Sequence, residues 1–482
     1  MSIDKSNFKK INAYTWQIPQ TFRSDMRVPA IIFASEKMLD DILQDRSIEQ
    51  LINVTTLPGI RKAALVMPDA HEGYGFPIGG VAATSFPNGA ISPGGIGYDI
   101  NCGVKLLKSD LEASSLNHHQ GLLARRLYEE IPSGVGHGGR LTLIEKRLDE
   151  VLVKGAAWIV DNGYGEKEDI HFIESEGCLD NADPQAVSDH AKKRGKDQLG
   201  TLGAGNHFVE VDVIDEIFDE TIASTFGLSL NQVVVLIHTG SRGLGHQVAT
   251  DYIRIMNQSM TKYGINVPDR ELACAPLSSP EGTAYFNAMA ASANFAFANR
   301  ELIAWEVRKV FKEMFGERLS TLYDVAHNIA KIEEHVINEK KRSRKKVIVH
   351  RKGATRAFGP NSPELIDEYS LTGQPVLIPG SMGTASYVLA GTTEAMELSF
   401  GSCCHGAGRT LSRHAAKAQI SGKKLKIDLE EQGIFIQAGS ISDLAEEAPL
   451  AYKNIHDVVD VVDKVGIAKK VARLRPAVVV KG

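Results

Sequence analysis

Short apolar runs and helical periodicities follow one another along this chain without regular alternation, and this order constrains the fold most strongly. Seven runs have the length and character of buried strands, at residues 63–67, 104–107, 208–213, 233–237, 347–349, 376–378 and 434–437. Apolar residues recur with the period of a helix at residues 36–50, 119–130, 141–152, 285–315 and 455–463. A doubly wound fold would alternate strands and helices, so the order predicts an α+β fold with mixed β-sheets.

The chain has the size and composition of one elaborated domain. Its 482 residues are 43% hydrophobic, which suffices for a large core. No repeat, low-complexity stretch or Pro/Ser-rich linker divides it, so we expect a single domain over residues 1–482. The N-terminal segment has no apolar stretch, no long apolar window occurs, and the five cysteines have no disulfide-like spacing. These features predict a soluble protein of the reducing cytoplasm.

The string GSCCHGAGR (401–409) places His405 between small residues. Flanking glycines allow the backbone to approach a ligand closely, and residues 410–419 have the pattern of a helix. The backbone N–H groups around residues 406–408 are therefore expected to point at a phosphate. The alternative for an isolated His-Gly pair is a tight turn whose histidine caps a helix.

Further candidate ligands follow apolar runs and lie beside Asn, Gly or Thr. They are Asp99, Cys102, His207, His238 and His327. One thiolate, one carboxylate and three imidazoles could hold two divalent ions with the sulfur as a bridge. Each histidine alone is more often a core or turn residue, and the long spacing cannot show that the groups meet.

Basic residues are concentrated in two neighbouring segments, although the net charge of −5 argues against a surface that binds nucleic acid nonspecifically. The run at residues 339–346 is typical of a solvated helix end. The segment 350–356 places Arg351, Lys352 and Arg356 among Gly, Ala and Thr after a strand. This pattern is typical of phosphate binding and indicates an anionic substrate.

Familiar nucleotide-binding motifs are absent from the sequence. It contains neither the Gly-x-x-x-x-Gly-Lys-Ser/Thr loop nor the Lys-x-Asp-Gly motif of lysine-adenylating ligases. The glycines at residues 200–205 lead into Asn-His and a strand, whereas a dinucleotide-binding turn opens a helix.

Nine strings in order along the chain resemble segments of the RtcB family of RNA-splicing ligases. They are PDAHEGYGFPIGG (68–80), YDINCGV (98–104), GTLGAGNHFVEV (200–211), HTGSRGLGHQ (238–247), AHN (326–328), HRKGATRA (350–357), PGSMGTASY (379–387), GSCCHGAGR (401–409) and RPAVVVKG (475–482). The length and the segment near residues 180–200 resemble the long archaeal-type members. The resemblance implies an RtcB-like domain with mixed sheets around a central metal and nucleotide cleft.

The resemblance also implies the reaction. A GTP- and Mn²⁺-dependent ligase would join an RNA end bearing a 2′,3′-cyclic phosphate or 3′-phosphate to a 5′-hydroxyl end, in tRNA splicing and RNA repair. His405 would attack the α-phosphate of GTP and form a histidine–GMP intermediate. A small acidic protein, archease, promotes repeated turnover in the family and is a possible partner.

The implied metal centre holds two Mn²⁺ ions bridged by Cys102. His207 and His238 would complete one ion's ligands, and Asp99 and His327 the other's. A thiolate with imidazoles would suit zinc on grounds of ligand softness, so manganese is expected from the resemblance alone, with zinc or cobalt as competitors.

The resemblance assigns further residues to GTP and to RNA. The expected nucleotide contacts are Asn206, His207, Phe208, Val209, Glu210, His327, Asn328, Pro379, Gly380, Ser381, Met382, Ser386, His405, Gly406, Ala407, Gly408, Tyr452 and Lys481. Glu210 can accept hydrogen bonds from guanine N1–H and its amino group, for which adenine offers no match. The expected RNA contacts are Arg351, Lys352, Arg356, Arg409 and Arg413.

Two other classes of protein remain open from the sequence. A binuclear metallophosphoesterase acting on cyclic phosphates or nucleotides would need the metals but not His405 or Lys481. A nonenzymatic RNA-binding repair factor would need only the basic segment. Covalent labelling by GTP distinguishes the ligase from both.

Overall fold

The computed structural model describes residues 3–134, 138–338 and 343–482. The strands in this part of the chain are β1 Lys9–Lys10, β2 Thr15–Ile18, β3 Ala30–Phe33, β4 Ile60–His71, β5 Ile78–Ser85, β6 Ala90–Ile91, β7 Gly103–Glu112, β8 Phe208–Ile217, β9 Gln232–Thr239, β10 Ala275–Pro276, β11 Ser320–Ala326, β12 Asn328–Asn338, β13 Ser343–Lys352, β14 Ala354–Arg356, β15 Pro375–Ile378, β16 Ser386–Gly391, β17 Ser402–Cys404, β18 Phe435–Ala438 and β19 Ala468–Lys481.

The α-helices in the same ranges surround the sheets. They are α1 Glu36–Ile42, α2 Ser47–Val54, α3 Gln120–Glu130, α4 Glu145–Lys154, α5 Ala156–Asp161, α6 Asp189–Gly195, α7 Glu220–Phe226, α8 Arg242–Ser259, α9 Pro280–Phe315, α10 Thr393–Leu398, α11 Arg413–Gln419, α12 Gly422–Glu431 and α13 Ile455–Val465. None of the helices within the described ranges is both long enough and apolar enough to cross a membrane.

Two large sheets form the frame of the molecule. The first has the strand order β1-β2-β3-β4-β5-β13-β12. The second has the order β11-β7-β9-β8-β19-β16-β15, with β18 parallel to β19 beside this path. The long helix α9 packs against β7 and β9, and its alanine-rich middle is buried. The chain passes from the second sheet to the first at His327, between β11 and β12.

The predicted α+β class is confirmed, and every apolar run predicted as a strand lies in or overlaps one. The helix predicted over residues 36–50 is two helices, α1 and α2. Asp45 accepts a hydrogen bond from the backbone N–H of Ser47 at 2.8 Å, and α2 begins there. The basic run was expected to end a helix, but residues 343–346 belong to β13. Residues 339–342 of that run lie outside the described part of the chain.

Candidate active site

The edge of the second sheet brings the five predicted metal ligands together. Cys102 directly precedes β7 and His207 directly precedes β8, while His238 lies at the end of β9. These strands are antiparallel neighbours, with Phe208 opposite His238 and Gly103 opposite Thr239. The start of two strands therefore meets the end of the strand between them. β11 ends beside Gly103, which brings His327 to the same edge.

The ligand atoms form two groups that share the thiol. Cys102, His238 and His327 form one group, and Asp99, Cys102 and His207 form the other, with the ligand atoms of each group within 4.8 Å of one another. Cys102 Sγ lies 3.3 Å from His207 Nε2 and 3.4 Å from His238 Nε2. A donor set of thiol, carboxyl and imidazoles at these separations fits two divalent ions with a bridging sulfur.

The closest contacts pair the ligands differently from the predicted division. His207 and His238 were expected to share one ion, but His207 Nε2 lies 2.8 Å from Asp99 Oδ2. His238 Nε2 instead lies 3.3 Å from His327 Nε2. Cys102 Sγ contacts His207 and His238 alike, so the division between two ions stays a prediction.

Burial sets the protonation of the ligands in the protein alone. It lowers the pKa of His238 and of His327 well below the usual range, so both imidazoles are neutral and offer a lone pair. Burial, followed by the charge of Asp99, raises the pKa of the Cys102 thiol. A divalent ion must therefore displace a proton from this thiol when it binds.

His405 directly follows β17, and its orientation is fixed by Asp69. The Asp69 carboxylate accepts hydrogen bonds from His405 Nδ1 at 2.7 Å and from the His405 backbone N–H at 3.1 Å. Asp69 is fully buried near the end of β4. The His405 ring lies 4.8 Å from that of His327, measured between ring centres. Nδ1 is thus occupied, which leaves Nε2 as the nitrogen available for reaction.

Sequence reasoning missed Asp69. It belongs to the string 68–80 that carries part of the family resemblance, but a lone aspartate after an apolar run gives no signal of its partner. The predicted helix over residues 410–419 also needs correction. It begins only at Arg413, where Ser412 caps it, so the N–H groups of residues 406–408 do not belong to a helix N-terminus.

A cavity of about 560 Å³ opens in front of these groups. The predicted residues that line it are Asp99, Cys102, Asn206, His207, His238, His327, Asn328, His405, Gly406, Ala407, Gly408, Arg409, Arg413 and Tyr452. Polar and charged lining residues that the sequence analysis did not assign are His71, Arg194, Gln198, Arg242, His246 and Glu447. The cavity therefore combines potential metal ligands with cationic side chains, a combination suited to phosphate groups.

Glu210 and Lys481, both predicted to contact the nucleotide, do not line this cavity. Glu210, on β8, is 2% exposed, and its Oε1 has no hydrogen-bond partner among the described residues. Burial and the neighbouring Asp212 raise the pKa of Glu210 well above its usual range. Lys481 Nζ lies 3.3 Å from Asn206 Oδ1 and 5.5 Å from the centre of the Phe208 ring. A buried acceptor without a donor fits a ligand that brings N–H groups.

The remaining predicted nucleotide contacts lie around the loop between β15 and β16 or on strand β8. Residues 379–382 lie in the loop between β15 and β16, and a Cβ at Gly406 would come 3.4 Å from the carbonyl oxygen of Pro379. Ser386 accepts a hydrogen bond from the Gly380 N–H at 3.0 Å, which fixes this loop. The Val209 side chain packs in the apolar core on the face of β8 opposite Glu210, so its predicted nucleotide contact would have to come from its backbone.

The basic segment 350–356 is buried, which contradicts its predicted contact with RNA. Arg351 donates to Glu333 at 2.9 Å, and its side chain has no exposed surface. Lys352 donates to the carbonyl oxygens of Tyr74 and Phe76, and burial lowers its pKa to about 7. Arg356 is also buried: it is 5% exposed and donates a hydrogen bond to Gln374 Oε1 at 2.8 Å. These side chains hold strands together inside the protein.

Arg409 and Arg413, which are predicted to bind RNA, line the cavity. Arg409 donates to Glu447 at 3.0 Å and to the Tyr452 hydroxyl at 3.2 Å, so its guanidinium is largely occupied. Arg413 also contacts Glu447, at 3.2 Å, but 59% of its side chain is exposed. Of the two, Arg413 is the more accessible to a large anionic ligand.

Fold and site together define a class: an α+β protein in which an oriented histidine faces two groups of potential metal ligands across a cationic cavity. Residues 50–482 match the family model described as tRNA-splicing ligase RtcB. The chain is 53% identical to the tRNA-splicing ligase RtcB of Archaeoglobus fulgidus over 479 residues, which cover 98% of each chain. The relative of the same description from Thermococcus kodakarensis is 52% identical, again with 98% of each chain covered.

A bacterial relative shows the same similarity over a shorter length. The RNA-splicing ligase RtcB of Mycobacterium tuberculosis is 50% identical over 436 residues, which cover 90% of this chain and 100% of the relative. The chain therefore belongs to the RtcB family, and the resemblance found in its motifs is confirmed.

Proposed function

We propose that this protein is a GTP- and Mn²⁺-dependent RNA ligase of the cytoplasm. It joins RNA ends that bear a 2′,3′-cyclic phosphate or 3′-phosphate to 5′-hydroxyl ends, in tRNA splicing and RNA repair. Membership of the RtcB family supports this class of activity. The observation that carries the mechanism is His405, held through Nδ1 by Asp69 beside the shared thiol.

The first step is guanylylation of His405. Nε2 attacks the α-phosphorus of GTP, the bond from that phosphorus to the bridging oxygen breaks, and pyrophosphate leaves with the electron pair. Asp69 keeps the proton on Nδ1 and stabilises the positive charge that develops on the ring. Buried neutral histidines near His405 avoid repulsion with that charge.

Cys102, His207 and Asp99 would hold one Mn²⁺, and Cys102, His238 and His327 the other. Such ions supply charge neutralisation at phosphate oxygens. The neutral imidazoles and the shared thiol fit this role, and they also fit Zn²⁺ or Co²⁺ as competitors. Asp99 and Cys102 precede β7, so one short segment contributes to both groups.

Glu210 would select guanine. Its carboxylate would accept from N1–H and the 2-amino group, while Lys481 stabilises the ionised form from the same side of the sheet. Asn206, Asn328 and Tyr452 would enclose the rest of the nucleotide at the cavity wall. Because Glu210 is buried with a raised pKa, it must lose a proton before it can accept both hydrogen bonds.

The later steps transfer GMP to RNA. An oxygen of the RNA 3′-phosphate attacks the phosphorus of histidine–GMP, and the P–N bond breaks with its electron pair returning to Nε2. The 5′-hydroxyl then attacks the 3′-phosphate, loses its proton, and GMP leaves. A cyclic phosphate end must first take up water to become a 3′-phosphate. Arg413, Arg194 and Arg242 line the cavity where these phosphates would bind.

Incubation with α-³²P-GTP and Mn²⁺ tests the proposal. We expect label that survives denaturation, is labile to acid and stable to alkali, and is absent from His405→Ala. A metallophosphoesterase would release labelled products without retaining label, and an RNA-binding factor would do neither. Ligation of matched RNA ends should then proceed, with archease increasing the number of turnovers. Absence of covalent label from folded, metal-loaded protein would contradict the proposed ligase.

A further inference from the structure

One buried arginine lies directly beneath the candidate metal ligands. Arg300 is in the middle of α9, and its side chain has no exposed surface. The guanidinium is oriented toward the edge of the second sheet at which Cys102 and His238 lie. Its positive charge is paired with Asp324, whose Oδ1 accepts a hydrogen bond from Arg300 Nε at 2.8 Å.

The remaining hydrogen bonds of Arg300 go to segments that carry ligands. Nη1 donates to the carbonyl oxygen of Asn101 at 2.8 Å and to that of Thr239 at 3.0 Å. Nη2 donates to the side-chain oxygen of Asn101 at 3.1 Å. Asn101 directly precedes Cys102, Thr239 directly follows His238, and Asp324 lies three residues before His327. One planar group thus connects three ligand-bearing segments that are distant in sequence.

Local geometry shows how closely the guanidinium approaches the thiol-bearing segment. A Cβ at Gly103 would come 2.5 Å from the Val325 carbonyl oxygen and 3.0 Å from Arg300 Cζ, so the strand and the guanidinium together require glycine beside Cys102. Asn101 has a φ of 51°, a left-handed conformation that costs free energy in a residue other than glycine. Its side chain also donates to the Ala293 carbonyl oxygen of α9 at 2.7 Å. Helix α9 therefore holds the strained segment from two positions.

We infer that Arg300 is a positioning residue of the metal centre, which sets the separation of the Cys102, His238 and His327 ligand atoms. The inference rests on the metal binding proposed above. Its reason is geometric: a guanidinium presents several donors in one plane, whereas a lysine ammonium cannot reach all of these acceptors at once. Groups that orient ligands without touching the ion commonly change metal affinity by about 10- to 100-fold.

Arg308 provides a matched control on the same helix. It is also buried, donates to both oxygens of Asp169 at 2.6 and 2.7 Å, and donates to the Leu319 carbonyl oxygen at 2.9 Å. None of these described partners adjoins a candidate ligand in sequence. Arg300→Lys and Arg308→Lys therefore each weaken a buried ion pair in α9, but only the first changes the ligand segments.

The experiment is a Co²⁺ titration of the full chain, monitored by the sulfur-to-cobalt charge-transfer absorption and by calorimetry. Urea unfolding of each variant gives its free energy of unfolding. We expect Arg300→Lys to bind Co²⁺ about 10- to 100-fold more weakly, with altered absorption. Arg308→Lys should retain wild-type affinity and spectrum at a comparable loss of stability. Asn101→Ala removes the side-chain contacts with Arg300 Nη2 and with the Ala293 carbonyl oxygen but keeps the Arg300 contact with the Asn101 carbonyl oxygen. It should bind Co²⁺ a few-fold more weakly, and it replaces Arg300→Lys in the comparison if that variant does not fold.

Equal Co²⁺ affinity and identical spectra in wild type, Arg300→Lys and Asn101→Ala would overturn the inference while leaving the metal centre intact. Equal weakening in Arg300→Lys and Arg308→Lys would also overturn it, because the effect would then follow stability alone. Wild-type protein that binds no Co²⁺ and no Mn²⁺ would instead remove the proposed centre, and the role of Arg300 with it.

Discussion

The Asp69 carboxylate determines which nitrogen of His405 is free. Replacing it with asparagine removes the charge that favours a proton on Nδ1 and stabilises the charged ring during attack. We expect Asp69→Asn to lower the rate of GMP labelling by roughly 10²- to 10⁴-fold, without loss of bound metal. Rapid-quench labelling with α-³²P-GTP measures this rate, and His405→Ala, which lacks the nucleophile, gives the background signal. A wild-type rate in Asp69→Asn would show that the carboxylate does not orient the nucleophile.

Single-ligand variants test the division of the metal ligands. His327→Ala should leave the Asp99–Cys102–His207 group able to hold one ion, and His207→Ala should leave the other group. Cys102→Ala removes a ligand from both groups, so it should weaken both sites. Metal content after gel filtration at limiting Mn²⁺ gives the stoichiometry. The same residual stoichiometry in Cys102→Ala and His327→Ala would argue against a shared thiolate.

Asp212 makes stability depend on pH. Burial raises its pKa to about 8 from the ordinary 3.8, so the folded protein holds a proton that the unfolded chain loses. Its contribution to stability is fully present below about pH 4 and is lost as pH rises toward 8. Asp212→Asn keeps the shape without the titration. The variant should therefore gain stability relative to wild type across this window, on the order of a few kcal/mol.

Urea unfolding between pH 5 and 8.5 measures this difference. Asp219→Asn is the control, because hydrogen bonding from Lys469 lowers the pKa of the Asp219 carboxylate. Its effect should therefore stay constant over the same range. A pH-independent difference between wild type and Asp212→Asn would mean that Asp212 is already ionised in the folded protein.

Strands were the elements most readily predicted from this sequence. The run 233–237 is apolar along its length, as a strand buried on both faces requires, and in 208–213 β-branched and aromatic residues alternate with Glu210 and Asp212. Helix ends were less visible, because apolar periodicity continues across the break at residues 43–46, where the Asp45 side chain bonds a new first turn. Helix α11 also starts later than predicted, at Arg413, because the Ser412 side chain caps its first turn.

The candidate site was predictable in its residue types but not in its contacts. The ligands could be inferred because each adjoins the end of an apolar run, and strand ends can meet at a sheet edge. Their division into two groups depends on the register of β7, β8, β9 and β11, which spacing does not encode. Asp69 and Arg300 gave no signal, since the importance of each comes from a partner far away in sequence.

The basic segment shows the opposite error. Arg351 beside Gly and Thr looked like a phosphate ligand because its partner Glu333, on the neighbouring strand β12, is invisible in the local sequence. Arg351→Met should leave the buried Glu333 carboxylate without its guanidinium partner, with the His335 ring still 2.8 Å away, and lower stability by about 3 kcal/mol. The double variant Arg351→Met with Glu333→Leu should recover part of that loss. Urea unfolding measures both.

At temperatures where it stays folded, Arg351→Met should bind RNA with wild-type affinity, because no part of its side chain is exposed. A large loss of RNA affinity at unchanged stability would reinstate the direct contact that burial excludes.

Over the whole molecule, charge must be distributed unevenly if the protein binds RNA. The net charge of −5 repels a polyanion at long range, so affinity must come from a local group of cations. Arg194, Arg242 and Arg413 line the cavity that also contains His405. RNA held there would place its reacting end beside the nucleophile.

Arg413→Glu tests this arrangement against Lys424→Glu, a reversal on α12 whose exposed side chain likewise pairs with a carboxylate. Arg413→Glu should weaken RNA binding at moderate salt and reduce the slope of log K against log salt by about 1, because one phosphate contact is lost. Lys424→Glu should change neither. GMP labelling of His405 should be largely unchanged in both variants, since that step does not require RNA. If Arg413→Glu lost labelling and RNA binding equally, Arg413 would belong to the nucleotide pocket, and RNA would have to enter from the side of Arg194 and Arg242.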